Sequence, residues 1–267
     1  MTFSFARIAV SAAVIGMAGT AFAQDGNGPA GEPVRQYVID LGIGGIVKPK
    51  YAAADSYLLY PFPIINVGNF YIPGLGQVKD GRRTEGVFFY PAFNFNGERE
   101  ASDDPGLRGT NTIDWALELG LGGGYRTENW RVFAELRQGF NGHSGQAGQL
   151  GFDGIFYPTD KLEVSVGPRA DFAFGDYMDT YFGVTAAEAA ASGGRLTRYD
   201  PGSGFTSVGL AARGSYNITD NVRFHVQAGY DRLVGDAADS PIANVGSKDQ
   251  FSIGAGFSYR FAFDLFN

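Results

Sequence analysis

The stretch FSIGAGFSYRF, residues 251–261, alternates without a break. Phe251, Ile253, Ala255, Phe257, Tyr259 and Phe261 fall on one face, and Ser252, Gly254, Gly256, Ser258 and Arg260 on the other. Successive side chains of a strand point to opposite sides of the sheet, so one face here is apolar and aromatic and the other small or polar. One such strand fits half of a soluble sandwich equally well. The same stripe recurs along the chain, and a sheet of apolar-outward strands of about ten residues, closed on itself, is how a β protein spans a bilayer.

Residues 1–23 have the form of a secretory signal peptide. Arg7 is the only charged residue of the leading segment, Ile8 to Ala18 form a short apolar core, and Ala21-Phe22-Ala23 gives an A-x-A cleavage site before Gln24. That apolar run falls short of the roughly 20 residues a spanning helix needs, and no later stretch reaches that length. Residues 24–36 read as a polar, Gly/Pro-rich flexible leader, and 37–267 as one large β domain. The chain has no cysteine, which excludes a disulfide-stapled scaffold, a thiolate metal site and a cysteine nucleophile. Forty glycines beside 23 Phe and 14 Tyr suit bent strands, slim lumen positions and interfacial aromatic girdles. A formal charge of -7 argues against a nucleic-acid partner. Mean hydropathy of -0.10 fits strands that give only alternate residues to lipid.

The alternation predicts about ten strands, with twelve as the alternative. Strands beginning near Tyr37, Tyr57 and Val87 come first, the second interrupted by Pro61 and Pro63 and the third by Pro91. Trp115, Leu117, Leu119, Leu121 and Tyr125 then oppose Glu118, and Trp130, Val132, Ala134 and Leu136 oppose Arg131, Glu135 and Arg137. After a strand over about 150–157, Leu162, Val164 and Val166 oppose Glu163, Arg169 and Asp171. A strand over about 204–217 precedes Val222, Phe224, Val226, Ala228 and Tyr230, which oppose Arg223, His225 and Asp231. The charged residues named here are the candidate lumen lining. Tight turns at 127–129, 158–160 and 218–221 alternate with longer segments at about 97–112, 141–147, 175–203 and 235–249. Outer-membrane barrels have short periplasmic turns and long outer loops, so both termini are expected in the periplasm. The segment 67–85 stands out as a long periplasmic turn that could hide another strand pair. A soluble sandwich or lipocalin-like barrel would carry a polar face rich in Lys, Glu and Thr, whereas glycines and mixed Arg, Glu and Asp suit a narrow polar lumen.

Two stretches carry more than generic barrel pattern. The first is Thr180-Tyr181-Phe182-Gly183-Val184-Thr185-Ala186-Ala187-Glu188-Ala189, leading through Ser192-Gly193 to Tyr199. The second is Arg232-Leu233-Val234-Gly235-Asp236-Ala237-Ala238-Asp239-Ser240-Pro241-Ile242. Both resemble the MipA/OmpV family of Gram-negative outer-membrane proteins, with a weaker match at Lys48-Pro49-Lys50-Tyr51 and Asp55. The path from Ser192-Gly193 to Tyr199 is longer than the family pattern, and the chain ends on Asn267 rather than an aromatic. The barrel-assembly signal is therefore expected at Tyr259 and Phe261, or at Phe266. The resemblance implies a non-enzymatic barrel in the cell outer membrane, inserted by the barrel-assembly machinery and surrounded by lipid and lipopolysaccharide. It also implies a scaffold that joins a periplasmic murein hydrolase and synthase; other members of the family are linked to antibiotic permeability, so a narrow pore for small solutes is the alternative.

Chemistry is sparse. His143 lies in a glycine-rich segment and reads as a plain loop residue; His225 shares a face with Arg223 and Asp231 and reads as part of a lumen network. The two histidines lack an HExxH-like spacing, and no cofactor or metal is expected. Gly120-Leu121-Gly122-Gly123-Gly124 lies inside a strand pattern and reads as slim lumen positions rather than a phosphate loop. Asp103, Asp104, Asp236 and Asp239 read as solvated loop acids, with Asp236 fixing its loop through Ser240 in an Asx-type turn. Thr185-Ala186-Ala187-Glu188 is a capping-box sequence and predicts a short helix within 175–203. An outer-membrane protease or acyl hydrolase is the third functional class, and it needs a Ser–His or carboxylate–His constellation near the rim.

Overall fold

A computed structural model describes residues 37–72, 76–79 and 85–263. The expected signal peptide with Ala21 and Ala23, the expected leader and Phe266 lie outside the described residues. The strands are Tyr37–Pro49 (β1), Tyr57–Ile72 (β2), Gly76–Lys79 (β3), Gly86–Asn96 (β4), Ala116–Arg126 (β5) and Trp130–Asn141 (β6). They continue with Gln146–Thr159 (β7), Leu162–Ala173 (β8), Gly204–Asn217 (β9), Val222–Leu233 (β10) and Asp249–Phe263 (β11). All ten expected strands are present, and the eleventh, β3, falls in the doubtful segment 67–85. Four residues of β-pattern among turn-formers give too short an alternation to be read from sequence.

The strands form one antiparallel sheet in the order β3-β2-β1-β11-β10-β9-β8-β7-β6-β5-β4. The first and last long strands pair along their length, from Tyr37↔Phe263 to Val47↔Ile253. Among the described residues no ladder joins β2 or β3 to β4. The sheet nevertheless curls far enough for side chains to reach across: Lys48 Nζ of β1 donates to Asn94 Oδ1 of β4 at 2.6 Å, and the rings of Tyr60 on β2 and Phe95 on β4 stand 5.4 Å apart. The sheet is thus continuous through the β1–β11 ladder, and among the described residues no ladder closes it into the expected ring.

Outward residues are exposed and apolar: Leu121 is 74% accessible, Ile43 68%, Phe89 64% and Ile253 64%. An apolar band running through every long strand is far beyond what a soluble monomer exposes. Aromatics bound it at both ends. Trp115 stacks on Phe95 (5.8 Å between centroids) at the long-loop end, and Tyr125 meets Trp130 (6.0 Å) at the short-turn end. These are the girdles of a membrane barrel. None of the described helices is long and apolar enough to cross a membrane.

The long-loop end is filled by a folded lid. It holds a 3-10 turn, Pro105–Leu107, and four short helices: Gly175–Phe182 (α1), Ala186–Ala191 (α2), Gly235–Asp239 (α3) and Pro241–Val245 (α4). The expected single helix in 175–203 is two, α1 and α2, and α2 has the full capping box of Thr185 and Glu188. The lid carries its own core. Met178, Tyr181, Phe182, Ala237 and Ala243 pack over Ala147 and Ala173 at the strand ends, and Tyr51, Leu107, Val184, Leu196 and Ile242 form a second cluster beside them.

Candidate functional site

The inward residues of β5 to β10 make a polar wall held by ion pairs. Near the lid, Glu118 accepts from Asn94 Nδ2 (3.0 Å), Asn96 Nδ2 (2.7 Å) and Arg137 Nε (2.8 Å), and Arg137 also binds Glu135. Deeper, Asp153 stands between two guanidiniums, accepting from Arg131 at 2.7 Å and Arg169 at 2.6 Å. The Phe133 ring lies under both cations, 5.6 Å from Arg131 and 5.0 Å from Arg169. Asp171 accepts from Gln149 (2.9 Å) and Ser207 (2.7 Å). At the short-turn end Arg126 binds Tyr157 Oη (2.7 Å) and Glu163 (3.3 Å), and Arg260 binds Asp40 (2.8 Å). His225 bridges Ser215 and Ser258 at 3.0 and 2.8 Å, one hydroxyl to each ring nitrogen, and Arg223 donates to Asn217 (2.7 Å). Asp231 lies on the wall of a cavity of about 380 Å³ beneath the lid, which Glu135, Arg137, Arg169 and Asp171 also line.

The residues read as candidate lumen lining, Asp231 apart, are therefore placed in several separate networks, each largely self-paired; Asp231 keeps one buried carboxylate oxygen without a hydrogen-bond partner among the described residues. One residue with a role there, Phe133, escaped the sequence reading. Phe133 interrupts a charged inward face, and its signal was Gly151 opposite: a Cβ on Gly151 would stand 2.2 Å from the Phe133 ring, so the ring needs that glycine. Asp153 was visible as an inward acid, but only the curl of the sheet brings Arg131 and Arg169 to the same carboxylate.

The opposite wall, from β2 and β4, is aromatic. Tyr60, Phe62, Ile64, Phe88, Tyr90 and Ala92 face inward, and Tyr90 Oη donates to Glu135 (3.0 Å) across the lumen. A second cavity of about 390 Å³ lies against this wall and shares Lys48, Asn94, Glu135, Gln149, Arg213 and Gln227 with the first. The lumen is amphipathic from side to side.

In the lid the two family-like stretches dock on each other. Ser240 Oγ donates to the carbonyl of Phe182 at 2.6 Å and accepts from Ile242 N at 3.1 Å, capping α4. Gly235 takes φ +53, a left-handed conformation that favours glycine, where β10 turns into α3. The Asx-type turn expected between Asp236 and Ser240 is not formed. Asp236 instead accepts from Gly202 N (2.7 Å), and its carbonyl accepts from Tyr199 Oη (2.9 Å), tying α3 to the end of the α2–β9 segment. Nor are Asp103 and Asp104 simply solvated: Asp103 pairs with Lys50 (2.5 Å), and Asp104 caps the 3-10 turn through Gly106 N (2.6 Å). His143 is likewise no plain loop residue. It is buried under the lid, with Nε2 3.6 Å from Glu118 and its ring edge-on to Tyr177 and Tyr181. Glycine-rich neighbours made it look exposed, and α1 folds over it.

Burial raises the Glu188 carboxyl, but hydrogen bonds from Asn111 N, Thr185 N and Thr185 Oγ1 outweigh that and leave it below the usual range. A carboxyl depressed in the folded state stabilises it above the unfolded value and loses that contribution as pH falls. The protection factors of the α2 amides, exchange rates relative to the unfolded chain at the same pH, should therefore fall as pH drops below about 4.3, and Glu188→Gln should flatten that dependence. Burial likewise lifts the Tyr51 hydroxyl to about 12, helped by the charge of Asp103.

Asp153 is fully buried with two cations. Removing one partner of a buried network strands the others, so Asp153→Ala should destabilise the refolded barrel by about 3–5 kcal/mol. The urea midpoint in detergent micelles, read by heat-modifiable gel migration, checks this; an unchanged midpoint would mean that the trio does not hold the lumen.

A family model for "MltA-interacting protein MipA" matches residues 41–261. A search of curated proteins gives no match. Among solved structures, an outer-membrane channel from Pseudomonas putida F1 is 11% identical, covering 88% of this chain and all of that one, with a TM-score of 0.45. Neisserial surface protein A is 12% identical over 87% of this chain and all of that one (TM-score 0.28). The Escherichia coli outer-membrane protease OmpT is 13% identical over 85% of this chain and 98% of that one (TM-score 0.32). With the family model spanning every long strand and both lid motifs, this chain belongs to the MltA-interacting protein MipA family.

Proposed function

We propose that this protein is a plugged outer-membrane barrel acting as a non-enzymatic scaffold, whose periplasmic side engages a murein hydrolase and its synthase partner. One observation carries the plugged reading: the long-loop mouth is filled by the apolar core of the lid, from Met178 and Phe182 to Ile242. Beneath it many of the lumen charges are paired with one another, as in the Arg131–Asp153–Arg169 trio. A conducting pore needs a wet axial path and charges open to solutes, so the narrow-pore reading would require the lid to open. The family description, which names an interaction with MltA, supports the murein-enzyme partner. An enzyme would need a base oriented by a third group. His225 meets two hydroxyls at the short-turn end instead, and His143 is sealed beneath the lid.

Refolded mature protein in a planar bilayer should give no discrete conductance steps, and should hold a purified lytic transglycosylase in a stoichiometric complex. Steps that change with Arg169→Ala, together with no complex, would make the protein a pore and end the scaffold reading.

A further inference from the structure

The wall between β2 and β4 is built differently from every other strand junction. Pairing of β2 with β1 runs uninterrupted through Gly45↔Pro61 and Ile43↔Pro63, and pairing of β4 with β5 runs uninterrupted through Pro91↔Leu121. Proline has no N–H to give a ladder, so within a continuous pairing it occupies the position whose nitrogen faces the other edge. All three nitrogens therefore face the junction between β2 and β4, and at those points neither edge offers a donor to the other. β3 covers only the far end of β2, at Asn69–Ile72. At the lid end the junction is pinned: Tyr60 Oη and Gly97 N both donate to the Lys50 carbonyl, each at 2.8 Å. Between these fastenings lies a slit at the depth of the apolar band.

Behind the slit is the cavity of about 390 Å³. Its mouth is apolar, with Phe62, Ile64, Phe88 and Ala92 turned inward and Pro63 and Pro91 at the rim. Its far end is cationic. Arg213 projects into it from β9 beside Arg131 and Arg169, and those two already share the one carboxylate of Asp153. Among the described residues Arg213 has no hydrogen bond or ion pair. Glu135 in the same lining and Asp153 act on Arg213 without pairing with it, so its guanidinium donors stay open at the end of an apolar passage that opens towards lipid, and they complement a molecule with an anionic head and a hydrocarbon tail.

We propose that the β2–β4 slit is a lateral portal through which a membrane-borne anionic amphiphile, a single-chain carboxylate or phosphate monoester, enters the lumen and seats its head group on Arg213. This goes beyond the scaffold reading and does not depend on it. The lid closes the axial route, so the hydrophobic body of such a ligand stays in contact with lipid while its charge is neutralised inside.

The test uses the full mature chain refolded in phosphatidylcholine vesicles with a diazirine-bearing fatty acid, mapped by mass spectrometry after irradiation. Labelling is expected to concentrate on residues 61–65 and 88–93 and to be competed by dodecyl phosphate but not by inorganic phosphate. Arg213→Gln should lower it at least tenfold and Arg213→Lys should largely retain it, each variant checked for folding by heat-modifiable migration. The triple change Pro61→Val, Pro63→Val and Pro91→Val restores the missing donors on the outward face and should zip the slit, abolishing labelling in a barrel that still folds. Labelling spread evenly around the barrel, or unchanged in both the Arg213→Gln and the proline variants, would overturn the portal. Equal competition by inorganic phosphate would reduce the site to a free-anion site and overturn it as well.

Discussion

Backbone hydrogen bonding in a medium without water governs this molecule. An unsatisfied N–H or C=O in hydrocarbon costs several kcal/mol, so a sheet in a bilayer is driven to pair its edges. Here that pressure is met by the pairing of β1 with β11, the first and last described strands, and by each hairpin in turn. It is relieved at one junction only among the described residues, where Pro61, Pro63 and Pro91 remove donors from both facing edges. Proline on an edge blunts pairing, and in a soluble sheet it would protect against aggregation. In a membrane sheet the same residue leaves a slit.

The interior follows from that geometry. Residues beside the slit are aromatic, and residues across the lumen are charged, so the barrel is amphipathic across its width as well as from inside to outside. Most of the charged wall stays buried because its carboxylates have cations or amides to bind: Glu118 takes three donors, from Asn94, Asn96 and Arg137, with His143 nearby, and Asp153 takes two guanidiniums. Such networks are stable as wholes and fragile to the loss of one member. The lid adds the axial restriction. Ser240 joins the second motif to the Phe182 carbonyl of the first, and Arg99, itself buried, donates to the Tyr181 carbonyl at 2.8 Å from the β4–β5 segment. Three outer segments thus converge on the C-terminal end of α1.

The strands were legible because period-2 alternation over ten or more residues is a strong local signal, and Phe251 to Phe261 carries it without exception. The capping box at Thr185 was equally plain. Sites that depend on distant chain segments were not. His143 reads as a loop residue until α1, more than thirty positions on, covers it. Asp236 has a plausible partner four residues away, yet binds Gly202 N across the lid. The prolines of β2 and β4 read as weak points of two separate strands; only the sheet order shows that they face the same junction. Local pattern carries the wall of the barrel, while curl and loop docking decide what the wall encloses.

Among the described residues the sheet is hydrogen-bonded from strand to strand except at the junction of β2 with β4. Cross-strand contacts between backbone protons, measured by NMR on the deuterated protein in micelles, test it most directly. Contacts should be continuous along β1–β11, from Tyr37↔Phe263 to Val47↔Ile253, and missing between residues 61–65 and 88–93. An unbroken ladder of contacts between β2 and β4 would contradict the account.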